Sequence, residues 1–157
     1  RKTGWGIVDF DGLSITYVGC GVITPPSSDE MPNRLAFLYG GLAQIMAEWQ
    51  PDSAAVEETF VNKNAASTLK LGQARGVVML TPALVGLAVA EYHNRVVKLS
   101  VVGTGRAAKQ QIHVMVKHLL PGANPESEDE ADALAIAICH AHHSGSILEA
   151  LGAGAHK

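Results

Sequence analysis

Hydrophobic and polar positions alternate over the first 24 residues, with Trp5 and Ile7, then Ile15, Tyr17, Val18, Val22 and Ile23, on either side of Asp11-Gly12. A period of two is the pattern of a half-buried strand, and Asp-Gly is a strong hairpin turn signal. Two or three antiparallel strands are expected here. Thr24 to Pro32 is polar and rich in Pro and Ser, which predicts a loop. From Asn33 to Trp49 the period changes: Leu35, Leu38, Leu42, Ile45, Met46 and Trp49 recur at the spacing of one helix face. Gly40-Gly41 lies in mid-helix, at a cost of about 1 kcal/mol each against Ala, so close packing is expected there.

Pro51-Asp52 ends that helix, and Ser53 to Val56 reads as a short buried strand terminating at Glu57. A long helix is expected over Asn64 to Leu84, interrupted near its end by Pro82. A strand over Leu87 to Tyr92 and a short helix over Asn94 to Val101 follow, then a break at Gly103-Thr104-Gly105. Lys109 to Leu120 is amphipathic, with Ile112, Met115, Val116 and Leu119 on one side. Pro121 to Ser127 is a loop, and Asp129 to His142 an Ala-rich final helix. Strands come first and then alternate with helices, which predicts an α/β fold with a mixed sheet flanked by helices. No repeat or interdomain linker interrupts it. One domain is expected over residues 1–143, with a Gly- and Ala-rich tail over 144–157 that is frayed or disordered.

Composition narrows the class. At 157 residues, 47% hydrophobic and 17% charged, the chain can bury one good core, and wholesale disorder is excluded. No run of eighteen apolar residues is present, so a membrane span is not expected, and Arg1-Lys2 leads directly into a Gly-rich strand rather than a signal peptide. Cys20 and Cys139 lie inside apolar segments without CxxC spacing, as buried thiols of a cytosolic protein do.

The net charge of −3 argues against a dedicated nucleic-acid binder, but the charge is segregated. Between Thr59 and Leu120 lie Lys63, Lys70, Arg75, Arg95, Lys98, Arg106, Lys109 and Lys117 against one acid, Glu91. A field depends on where charges lie, and this middle segment suits phosphates. It is bracketed by two acidic clusters, Glu57-Glu58 at a strand end and Asp129-x-x-Asp132 on a helix. Acids around a basic middle suit metal-dependent cleavage of a polyanion.

Each cluster also has a plain structural reading. Glu57 and Glu58 fit the start of a solvated loop as well as a ligand site at the carboxyl end of a strand. Ser127-x-x-Glu130 fits a capping box, and first-turn acids suit the helix dipole. Capping accounts for Ser127, Glu128 and Glu130 but poorly for Asp132, which sits where the helix is already under way. Phe60 fits a core position, or an exposed wedge or stacking platform for a base beside Lys63 and Asn64. His140-x-His142-His143 suits a helix C-terminus better than a metal site, and Gly103-x-Gly105 lacks the context of a dinucleotide loop.

Longer motifs add to this reading. Ala55-Val56-Glu57-Glu58-Thr59-Phe60, the run Asn64 to Gly76, Val97-Lys98 with Val101 to Gly105 and Lys109-Gln110-Gln111, and Asp129 to Ala135 closely resemble bacterial RuvC-type Holliday-junction resolvases. The resemblance runs from Thr3-Gly4-Trp5-Gly6 to about His143. It implies an RNase H-like fold and a cytoplasmic homodimer that nicks two strands of a four-way DNA junction symmetrically, with the RuvA–RuvB branch-migration machinery as a partner. It implies Mg2+ or Mn2+, two ions per site, with Glu57, Asp129 and Asp132 as three of four carboxylates. Phe60 resembles an aromatic inserted at the junction centre, and Lys98 and Lys109 resemble residues contacting DNA near the scissile phosphate. Lys63, Asn64, Lys70 and Arg75 complete the expected DNA-binding set. The family's fourth carboxylate lies in a strand ending Ile-Asp-Pro-Gly; this sequence begins just after that point, and Asp9 and Asp11, at the hairpin turn, cannot replace it. A junction-binding protein without catalysis and another RNase H-like nuclease are the rival expectations.

Overall fold

The Asp11 carboxylate organises the first turn. One oxygen accepts from the Leu13 and Ser14 amides at 2.9 and 2.8 Å, and the other accepts from the Ser14 hydroxyl at 3.0 Å. Gly12 takes a φ of 94°, which costs glycine nothing. These bonds, the Ser14 amide first, hold the Asp11 carboxyl below its ordinary pKa. The turn joins β1 (Thr3–Phe10) to β2 (Ile15–Ile23), so the opening segment makes two antiparallel strands. The computed structural model describes residues 2–58 and 64–152, with side chains through Ser144.

The chain divides into two compact units, residues 1–3 with 22–92, and residues 4–21 with 93–157. Their borders fall inside strands rather than at a linker, in keeping with the linker-free sequence.

The first unit holds α1 (Met31–Trp49), β3 (Ser53–Glu58), α2 (Ala65–Leu84) and β4 (Ala88–His93). α1 starts two residues earlier than its periodicity predicts, because Pro32 is tolerated in a first turn where its missing N–H has no partner to lose. Leu38, Leu42 and Ile45 face the core. Gly41 is tightly packed, since a Cβ there would stand 3.0 Å from Ile23 Cδ1, whereas Gly40 faces open space. The expected close packing therefore holds for one glycine of the pair. β3 pairs with β4, and α2 connects the two in the chain. Glu57 and Glu58 are the last residues of β3, not the loop after it. Asn64 caps α2 by accepting from the Ser67 amide at 3.1 Å. Pro82 is buried within the last turn of α2, where only two residues of helix remain for it to disturb.

The second unit holds most of the hairpin with α3 (Asn94–Val102), α4 (Lys109–Leu119) and α5 (Glu128–Gly152), the three helices packed on one another. Val97 and Val101 of α3, Ile112 and Val116 of α4, and Ala131, Leu134, Ala135 and Ile138 of α5 are buried together. Full burial of Leu134 or Ile138 is worth about 2–3 kcal/mol each. β1 lies directly against α5. A Cβ on Gly4 would fall 2.0 Å from the Asp129 carbonyl oxygen, and one on Gly6 would fall 2.8 Å from Leu134 Cδ2. Only glycine fits at these two points. α5 passes its expected end at His142 and continues to Gly152, so the tail after Ser144 begins as helix.

Among the described residues the strands form two two-stranded sheets, β1 with β2 and β3 with β4, with helices packed alongside.

Candidate active site

A reciprocal cap starts α5. Ser127 Oγ accepts from the Glu130 amide at 3.2 Å, and Glu130 Oε2 accepts from the Ser127 and Glu126 amides at 2.7 and 2.6 Å. This is the expected capping box. It fixes the helix start, and burial of Ala131 and Leu134 fixes the helix rotation, so Asp132 is left half-exposed beside α4 and Asp129 exposed one turn earlier.

α4 meets Asp132 with two side chains spaced i, i+4, and therefore on one face. Lys109 Nζ lies 3.0 Å from Asp132 Oδ2, and His113 Nε2 lies 3.1 Å from Asp132 Oδ1. Lys109 Nζ also lies 2.9 Å from Glu128 Oε2. Glu128, and after it Asp132, raise the Lys109 pKa well above the ordinary lysine range, against a smaller opposing effect of burial. Lys109 in turn lowers the Glu128 pKa. The result is a seat for positive charge, lined by carboxylate oxygens and occupied by an ammonium group.

Such oxygen donors fit a hard divalent cation in charge and in chemistry, and the position already accepts a monovalent one. Among the described residues, however, no group of three or more His, Cys, Asp or Glu side chains is gathered to hold a metal. Asp129 and Asp132 stand three residues apart at the start of α5.

In the first unit, Glu57 is half-buried at the end of β3. Its main-chain oxygen accepts from the Arg75 guanidinium, whose other terminal nitrogen pairs with the Glu91 carboxylate. Arg75, expected among the DNA-contacting residues, is thus engaged inside the protein. Asn64 serves as the α2 cap. Lys70 is exposed on α2, and Lys98 is partly exposed on α3. Phe60 and Lys63 lie outside the described residues.

Two members of the α5 cluster escape the sequence reading. Glu128 looks like a helix-start acid but pairs with Lys109, and His113 carries no motif of its own. The available signal for His113 is its spacing four residues after Lys109. Elsewhere, Cys20 and Cys139 are free thiols; Cys139 is buried as expected, whereas Cys20 is only partly buried. Burial raises the Cys139 pKa, and a hydrogen bond to Cys20 pushes the Tyr17 hydroxyl up to about 12. His143 Nδ1 donates to the Cys139 carbonyl at 2.8 Å, and His142 Nδ1 lies 2.9 Å from Ser100 Oγ; because α5 runs on to Gly152, these histidines lie inside the helix and not at its C-terminus as expected. Among the described residues no helix is long and apolar enough to cross a membrane.

Comparison with known proteins adds a family. The model described as crossover junction endodeoxyribonuclease RuvC matches residues 1–140. A protein of that name from Azorhizobium caulinodans is 60% identical over 145 residues, covering 92% of this chain and 86% of its own. One from Paramagnetospirillum magneticum is 58% identical over 146 residues, covering 93% and 88%. Among solved structures, Thermus thermophilus RuvC in complex with a Holliday junction substrate superposes with a TM-score of 0.84 at 28% identity, covering 91% of this chain and 88% of that one.

Proposed function

The chain belongs to the crossover junction endodeoxyribonuclease RuvC family, which has the RNase H-like fold, and on that premise we propose that it resolves four-way DNA junctions by symmetric, metal-dependent nicking. The observation that carries the chemistry is the start of α5, where Asp129 and Asp132 stand one turn apart and Asp132 meets a cation from α4. Glu57, Asp129 and Asp132 are the residues that would hold Mg2+ or Mn2+, two ions per site. Divalent ions so held supply, when bound, activation of the attacking water and stabilisation of the leaving 3′ oxygen.

The chain's own side chains do the rest. His113 fixes one oxygen of Asp132 and thereby the direction of the other. Lys109, kept protonated by its two carboxylates, is a full positive charge beside the site and suits a contact to the DNA phosphate. Lys98, Lys70 and Lys63 are further cations for phosphate, Asn64 is a further polar DNA contact, and Phe60 serves as the wedge at the opened junction centre. Products carry 5′-phosphate and 3′-hydroxyl ends, fit for ligation.

Symmetric nicking calls for a homodimer whose two-fold axis matches the junction's. α2 supports this. Leu69, Leu80 and Leu84 are each more than half exposed and lie close to whole helical turns apart, forming an apolar stripe suited to a second copy. Action in the bacterial cytoplasm, downstream of RuvA–RuvB branch migration, completes the reading.

The test incubates the full-length protein with a synthetic mobile four-way junction and a matched linear duplex, with magnesium or with chelator. Paired nicks in opposing junction strands only, and only with magnesium, are the expected result. Tight junction binding without nicks would make the protein a binding module, and equal cutting of the duplex would make it a nuclease of another substrate class. Glu57→Gln should bind the junction and fail to cut it.

A further inference from the structure

Arg75 carries a charge that the sequence assigns to DNA, yet its guanidinium is turned inward. From α2 it reaches both strands of the second sheet, donating to the Glu57 main-chain oxygen in β3 and to the Glu91 carboxylate in β4. The side chain is only 20% exposed. Glu91 is the one acid between Thr59 and Leu120, so this basic stretch places its single negative charge opposite Arg75.

A guanidinium is a rigid planar fork whose terminal nitrogens are held at a fixed separation, so a bridge through both of them sets the relative position of the bridged groups. Here one of those groups is the peptide oxygen of Glu57. Fixing that peptide fixes the direction in which the Glu57 Cα–Cβ bond leaves the strand end, and so the base from which its carboxylate reaches. Metal ligands are ordinarily oriented by such outer contacts. Two of the five guanidinium N–H donors, one on each terminal nitrogen, are committed to these acceptors.

We propose that Arg75 is a positioning residue that locks the Glu57 end of β3 to Glu91 on β4, aiming the Glu57 carboxylate for a divalent cation. This rests on the reading of Glu57 as a metal ligand, and the experiment separates the two. Mn2+ binding to the full-length protein is measured from the electron paramagnetic resonance signal of the free ion, for the wild type and for Glu57→Gln, Arg75→Ala, Arg75→Lys and Glu91→Ala. Junction affinity is measured in chelator across a salt series, and folding by thermal melting.

Arg75→Ala should weaken Mn2+ binding about tenfold, the scale of lost outer-shell support. Arg75→Lys should fail to rescue it, because an ammonium cannot span both acceptors, and Glu91→Ala should weaken binding in the same direction. Junction affinity in chelator and its salt slope should stay at wild-type values. A lower junction affinity with a slope reduced by about one, and Mn2+ binding intact, would make Arg75 a phosphate contact and overturn the proposal. Loss of Mn2+ in Glu57→Gln with none in Arg75→Ala or Glu91→Ala would overturn it while leaving the Glu57 reading in place. Wild-type Mn2+ binding by Glu57→Gln would overturn both. If Arg75→Ala does not fold, Glu91→Ala decides, because the Glu91 side chain is 43% exposed and its removal leaves no cavity: unchanged Mn2+ binding there overturns the proposal.

Discussion

His113 Nε2 donates to Asp132 Oδ1 across 3.1 Å, on the side of the carboxylate opposite Lys109. The imidazole side chain is 23% exposed, so the bond is shielded and orients the carboxylate rather than decorating it. His113→Ala should lower the cleavage rate about 10- to 100-fold, the range for lost outer-shell support, while junction affinity in chelator stays near wild type. His113→Gln, which keeps a donor at a similar reach, should recover much of the rate. Equal losses in both variants would count against an orienting role.

Lys109→Ala removes the charge seated on Asp132. Cleavage should fall, and the slope of log affinity against log salt should drop by about one phosphate contact. An unchanged slope would mean that Lys109 serves Glu128 and Asp132 alone. A filter-binding series at several salt concentrations makes the distinction.

Gly4 touches the main chain of Asp129 with no room for a methyl group. Gly4→Ala should destabilise the protein by about 2–3 kcal/mol, the scale of overpacking, and should depress cleavage beyond what lost folding explains, because the strain falls on the first turn of α5. Denaturant unfolding gives the first quantity and cleavage per folded molecule the second. Full activity per folded molecule would show that α5 gives way without moving Asp129.

Leu80→Asp places a charge in the exposed stripe of α2. Dimer dissociation should strengthen at least tenfold, about 1.4 kcal/mol, and junctions should accumulate single nicks in place of paired ones. Sedimentation across a concentration series reads the first effect. A wild-type dimer would put the interface elsewhere.

Burial, and after it the charge of His143, lowers the His140 pKa below the ordinary histidine value. The unfolded chain therefore takes up this proton more readily than the folded one. Stability linked to His140 is complete above about pH 6.5 and is lost as the pH falls through that value toward the folded-state pKa. Melting temperatures should decline from pH 7.5 to 5, and His140→Asn should flatten that decline. An equal slope in the variant would assign the effect to other groups.

Much of this architecture is legible in the sequence because its signals are local. Asp11-Gly12 makes the turn, Asn64 reaches only to Ser67, and Ser127 and Glu130 cap each other within a single turn. The helix face of Leu38, Leu42 and Ile45 follows from spacing alone. What escapes the sequence depends on elements distant in the chain. Nothing within α2 says that Arg75 turns inward, since its acceptors belong to β3 and β4. Gly41 meets Ile23 and Gly40 meets nothing, although the two are neighbours. Glu128 looks like a capping acid until α4 brings Lys109 beside it. The continuation of α5 was hidden differently: the Gly and Ala content after Ser144 obscured Ile147-Leu148-Glu149-Ala150-Leu151, a run of mostly good helix formers. The candidate ligands were legible as residues, through motifs, and not as an arrangement.

The Lys109 ammonium on Asp132 has a further consequence for how an ion would enter. The protein carries its own counter-ion there, so a divalent ion taking Asp132 would exchange with a charge already in place. Its apparent affinity would include the cost of sending Lys109 elsewhere. A DNA phosphate offers that charge a new partner, so ion and junction would each bind more tightly in the presence of the other, by the same factor in both directions. The cluster would then act as a coincidence detector, reluctant to arm itself without substrate.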